Sequence, residues 1–216
     1  MPEEKEEKQM KRFLAMLMLV VMMCGCAGLA EGKTFDPSLL EGKEGYSYDK
    51  FKRTWYYYEG TAAIDGNDNV FMTQIGLMGE KKELTNSIVA FAVAKNLQLN
   101  YIDDVTKLVI MADNDLIIIS NVLMINNELN NGQYAIALTE DKIKTLRMIV
   151  NAKKVSIRVY AKSAKNGYLD FEMEADLLAP LQEVTELVYT YELYSPYVSD
   201  EEITIVKTPI WRENHG

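Results

Sequence analysis

"LTEDKIKTLRMIVNAKKVSIRVYAKSAKNGYLDFEME", residues 138–174, changes its hydrophobic period once, and that change decides the fold class. Thr139 stands at an N-cap position, and Glu140 and Asp141 fall in a first turn where the positive helix end favours acids. Ile143, Leu146 and Val150 recur at helical spacing, and Lys153 and Lys154 follow where the negative helix end favours cations. The pattern predicts a helix over 140–152. From Val155 the period is two: VSIRVYAK and YLDFEME alternate around SAKNG, whose Asn166-Gly167 pair suits a tight hairpin turn. Val155, Ile157 and Val159 then share a face with Leu169, Phe171 and Met173, while Arg158 opposes Asp170 or Glu172 on the other. Leu181, Val184, Val188 and Tyr191 form a second helical stripe, predicting a helix over 177–194 if Pro180 falls in its first turn.

Upstream, the runs read as strands. TWYYYEGTAAI (54–64) and VFMTQIGLM (70–78) flank DGNDN as a hairpin, with Tyr56, Tyr58, Ala62 and Ile64 on the more apolar face of the first. SIVAFAVAKNLQL (87–99) carries Val89, Phe91, Val93, Leu97 and Leu99 on one face and small alanines on the other. KLVIMA and LIIIS flank DND as a second hairpin, and the unbroken run Leu116 to Ile119 predicts a strand buried on both sides. YAIAL places Tyr134, Ile136 and Leu138 together, and ITIV near the end suits an edge strand. Many strands, a helix, a hairpin and a helix exclude a doubly wound parallel sheet. The expected fold is α+β: a mostly antiparallel sheet or sandwich with two helices packed to one side.

The N-terminus reads as an address. Lys11 and Arg12 precede FLAMLMLVVMM (13–23), an uncharged run too short to span a bilayer but of the length of a secretory signal. The polar MPEEKEEKQ before it fits a signal poorly, so Met10 is the expected translation start. Met23-Cys24-Gly25-Cys26 resembles the lipobox of bacterial lipoproteins, with Gly25 as the small residue before the lipidated cysteine; Met23 and Cys24 depart from the usual leucine and small residue. The resemblance implies lipidation at Cys26 and a membrane partner through that anchor, on the extracytoplasmic side of the cell envelope. The competing outcome is cleavage after Ala30 and a secreted or periplasmic chain. The organisation expected is a signal peptide over 1–25, a flexible tether over 26–50, rich in glycine and charge, and a single α+β domain over 51–216. The layout of 138–174 is similar to small secreted or lipid-anchored bacterial proteins of unassigned function, a resemblance that implies no activity.

Chemistry is sparse. A formal net charge of −9 repels polyanions, so nucleic acid is not an expected partner. The sole histidine, His215, and the close cysteine pair offer no soft-metal set, so neither a metal nor a cofactor is expected. DGNDN supplies alternating oxygens, but Val70 and Gly76 stand where a calcium loop needs Gly and Glu, so a solvated turn is the simpler reading. No nucleophile motif occurs, and no catalytic residue is assigned. Asp103, Asp104, Asp113 and Asp115 could serve a carboxylate-dependent extracytoplasmic hydrolase if two of them faced one cleft. The preferred reading is a non-enzymatic envelope module that binds a protein or glycan. Trp55 and Tyr57 are its candidate contacts if Tyr56 and Tyr58 face the core; Trp211 adds a further aromatic. The competing reading covers both faces of that strand, with the tyrosine-rich helix end as one lid.

Overall fold

The computed structural model describes residues 35–81, 83–95, 100–122, 124, 132–198 and 200–207. Cys24, Cys26, Trp211 and His215, and the signal peptide, lie outside these. The fold is α+β, with two antiparallel sheets facing one another and two helices beside them. The first sheet runs β1 (Tyr46–Asp49), β2 (Thr54–Ile64), β3 (Val70–Glu80), β4 (Glu83–Lys95), then β5 (Asn100–Tyr101), with β8 (Gln133–Ala137) also paired to β4. The second sheet runs β10 (Tyr168–Glu174), β9 (Lys154–Ala161), β6 (Val105–Ala112), β7 (Asp115–Ser120), β11 (Glu202–Lys207).

The stretch 138–174 folds as its periods predict. Helix α1 spans Glu140–Val150, with Thr139 as N-cap but without a side-chain capping bond. Strands β9 and β10 pair as a hairpin, placing Arg158 opposite Asp170. Their charged ends meet, Arg158 Nε lying 2.7 Å from Asp170 Oδ1. Helix α2 spans Ala175–Thr190, so Pro180 falls past its first turn rather than within it. The helix begins two residues earlier than expected because Glu174 ends β10 and caps α2 at once.

One core lies between the sheets, where Phe71, Phe91 and Tyr134 meet Leu108, Ile157 and Phe171. Phe91 stacks on Tyr134 with ring centroids 5.0 Å apart. A second core lies where the rest of the first sheet meets the helices: Trp55, Tyr57, Ile75 and Leu77 pack on Ile143, Leu181, Val184 and Val188. Sheet and helices thus divide one face of the first sheet between them. The two helices join through a two-pronged ion pair, with Arg147 Nε and Nη2 on the two carboxylate oxygens of Glu186 at 2.8 and 3.0 Å.

Two expectations need correction. Strand β7 is buried on one face only, with Ile117 and Ile119 inside and Leu116 and Ile118 half-covered, because no described helix or strand packs on the outer side of the second sheet. The domain starts before residue 51. Residues 37–40 form a short 3-10 helix, and β1 pairs with β2 from Tyr46 to Asp49. Phe35 and Leu40 are buried in the helix-side core. Two apolar side chains in a glycine- and charge-rich segment set this docking, which the average composition conceals.

Candidate functional site

Trp55 and Tyr57 do not form an exposed patch. Trp55 is 0 % and Tyr57 1 % exposed, and Tyr56 between them is buried as well. The odd positions of β2 face the helices, so Trp55 and Tyr57 enter the second core while Tyr56 joins a cluster on the opposite face. Phe35 covers Trp55 at 5.9 Å between ring centroids, and Tyr191, just past α2, closes on Phe35 at 5.1 Å. Across the ladder, Gly79 faces Trp55; a Cβ there would sit 2.4 Å from the indole ring and 2.1 Å from a backbone oxygen of Glu83. The aromatic run is therefore structural, held by the segment expected to be a loose tether.

Among the described residues the most exposed aromatics are in or next to that segment instead, with Tyr189 and Tyr191 at the end of α2 exposed to a lesser degree. Phe51 is 89 %, Leu39 52 % and Tyr48 51 % exposed. Strand β1 is the edge of the first sheet, and a shallow groove beside it is lined by Pro37, Glu41, Tyr46, Tyr48 and Lys81. Asp49 fixes the turn that follows β1, its Oδ1 accepting from the amides of Phe51 and Lys52 at 2.9 and 3.1 Å. Phe51 is held outward by that turn. Burial raises the Tyr46 hydroxyl pKa, and Glu41 and Tyr48 add to the shift, so Tyr46 lines the groove as a neutral phenol at physiological pH. The alternation Tyr46-x-Tyr48 before an Asp turn is the readable signal, masked by the glycine- and charge-rich composition around it.

A polar cluster lies under the same arm. The Tyr57 hydroxyl donates to Glu59 Oε1 at 3.1 Å, and Lys43 pairs with Glu183 of α2. Burial pushes the Glu59 carboxyl pKa up, opposed by the Tyr57 hydrogen bond, with Glu183 raising it further and Lys43 lowering it. Tyr57 is pushed well above the usual tyrosine range by burial and by the Glu59 and Glu183 charges. The Lys43–Glu183 pair ties the arm to α2, while Tyr57 and Glu59 bond to one another within β2.

The four candidate aspartates do not converge. Asp103 and Asp104 precede β6 and Asp113 and Asp115 follow it, so eight strand residues, about 27 Å of chain, separate the pairs. Asp104 accepts from the amide and hydroxyl of Ser163 at 2.6 and 2.9 Å, and Asp113 from the amides of Lys153 and Lys154 at 3.0 and 3.2 Å. Both tie loops to the second sheet. In DGNDN, Asp65 Oδ1 accepts from the amides of Asn67 and Asn69 at 2.8 and 2.9 Å, so its carboxylate closes the hairpin turn. Among the described residues no three His, Cys, Asp or Glu side chains gather as a metal set, and no helix is long and apolar enough to cross a membrane.

Comparison with protein-family models, curated proteins and solved structures finds no match.

Proposed function

We propose that this chain is a cell-envelope lipoprotein, anchored through Cys26, whose domain is a non-enzymatic module that binds another envelope component, a protein or a glycan. The observation that carries the binding half is the solvent-exposed set Leu39, Tyr48 and Phe51 beside the groove along β1. Aromatic side chains held rigidly in water suit stacking on sugar rings or anchoring a protein contact. The lipobox-like Gly25-Cys26 pair supports the anchor, and the arm begins nine residues after that cysteine. Contact residues and anchor would then lie close together, at the membrane-proximal end of the molecule.

Two measurements test the two halves separately. Mass spectrometry of the membrane-extracted protein should find a mature N-terminus at Cys26 carrying a diacylglyceryl thioether; a lipid-free chain beginning at Glu31 would overturn the anchor. For binding, envelope extracts are passed over the mature chain and over its Phe51→Ala, Tyr48→Ala double variant. Retention of one protein or glycan species by the first and its loss from the second is the expected result. Equal retention by both would overturn the assignment of the surface.

A further inference from the structure

The second sheet ends on two unlike edges. Strand β10 carries Asp170, Glu172 and Glu174, and charges of this kind keep an edge from pairing with another chain. Strand β11 reads EITIVK, without proline or glycine, and its ladder with β7 runs from Glu202 to Lys207 with no register shift. Among the described residues no strand pairs with its other side. Five of its six residues are exposed, Ile205 at 39 % and Val206 at 46 %. A regular apolar edge presents its unpaired amides and carbonyls to a further strand.

The two faces of β11 decide which strand fits. Ile203 and Ile205 pair with the buried Ile119 and Ile117 and share the inner face, where Ile203 packs against the between-sheet core. Glu202, Thr204 and Val206 lie on the outer face. Two copies joined by antiparallel β11 strands are related by a two-fold axis normal to the sheet, which sets inner residues opposite inner ones and outer opposite outer. Centred on Thr204, that axis places Ile203 against Ile205 of the second copy and Thr204 against its own counterpart. It also places Lys207 against Glu201 of the second copy, one residue before the strand. Glu201 is an independent sign of such a neighbour. Its side chain is buried, Oε2 lies 2.6 Å from Lys142 Nζ, and Oε1 accepts from no described donor. An ammonium group supplies the missing donor. Centring the axis on Ile203 would set Ile205 against Glu201, and centring it on Ile205 would set Lys207 against Ile203, so the charge match selects Thr204.

We propose that two copies of this chain pair through β11 in an antiparallel ladder centred on Thr204, joining their second sheets into one continuous sheet. The pairing needs neither the lipid anchor nor the aromatic surface at β1. Six residues a side fall short of the roughly 1,200–2,000 Å² of a stable interface, and each copy carries a net charge of −9, so the pair is weak and depends on concentration. The 216-residue chain carrying Cys24→Ser and Cys26→Ser has no thiol, so a cysteine placed at Thr204 reports the axis. Directly opposed residues bring their Cβ atoms to about 5 Å, close to what a disulfide spans. Met111, 50 % exposed on the outer face of the same sheet, would lie about 24 Å from its counterpart at the usual strand spacing. Under mild oxidation Thr204→Cys should give at least about tenfold more disulfide-linked dimer than Met111→Cys, and adding Lys207→Glu to the former should cut its yield about fivefold. Equal yields from the two cysteines, or a Thr204 link indifferent to Lys207→Glu, would overturn the proposal. Hydrogen exchange of the unsubstituted chain needs no variant to fold: alternate amides of β11 should exchange about fivefold slower when the protein is concentrated about a hundredfold. Rates that do not change with concentration would overturn it as well.

Discussion

Trp55 shows how one residue type changes meaning with the layer around it. Its sequence neighbourhood, four large side chains in a row, fits both an exposed stacking surface and a strand covered on both sides. The alternation gives parity but not which parity is covered, and the lids that decide it, Phe35 and α2, are distant in sequence. Gly79 is part of the same arrangement: Gly79→Ala should destabilise by about 1–3 kcal/mol through overpacking against the indole ring and the Glu83 carbonyl. A urea-unfolding midpoint indistinguishable from wild type would show that the Trp55 pocket yields easily. Glu59 makes a pH-dependent prediction. Folding raises its pKa, chiefly by burial, so its contribution to stability is present below the ordinary carboxylate range and is lost as pH rises through the raised value. Glu59→Gln keeps an acceptor for Tyr57 and removes the buried charge. Its melting temperature should exceed wild type at pH 7, with the gap closing as pH falls toward about 4. A gap that widens on acidification would contradict that sign.

At the scale of elements, legibility followed burial on one side. α1 and the β9–β10 hairpin each bury one face against the core and show water the other, so their periods are clean. β3 shows no period because both its faces are covered, and β1 gives no clear signal because four residues at a sheet edge leave little pattern. Neither the arm's exposed aromatics nor the polar cluster beneath it was readable for the same reason: both depend on docking of a segment that looks like linker. A connection between elements was equally hidden. Glu201, just before β11, has a fully buried side chain whose Oε2 lies 2.6 Å from Lys142 Nζ of α1. Removing one partner of such a pair strands a charge, whereas replacing both with apolar groups does not. Lys142→Met alone should cost about 3–5 kcal/mol, while Lys142→Met with Glu201→Leu should lie close to wild type or above it. Chemical denaturation of the two single variants and the double variant closes the cycle. Additive losses would mean that the two side chains act independently.

For the whole molecule the decisive boundary is the start of the folded domain. A fragment beginning at Phe51 keeps ten of the eleven strands, along with both helices and the sheet-to-sheet core, and sequence composition favours it as the natural unit. The structure favours Phe35. Phe35 and Leu40 are buried against Trp55 and Tyr57, β1 pairs along the free edge of β2, and Lys43 reaches Glu183. Burying two such apolar side chains is worth about 3–6 kcal/mol at the usual transfer values. A domain of this size has a total stability of only about 5–15 kcal/mol, so the loss brings it near the edge of folding. The fragment 51–207 should therefore unfold at much lower urea than 35–207, and should bind a hydrophobic dye under native conditions because the indole and phenol rings are uncovered. Leu40→Ala in the longer fragment isolates the packing term from the lost strand, with about 2–5 kcal/mol expected. Equal midpoints for the two fragments would mean that the arm rests on the domain without stabilising it, and the exposed aromatics it carries would then have no fixed platform. A large difference makes the arm a structural part of the domain, which holds Tyr48 and Phe51 in place for a partner.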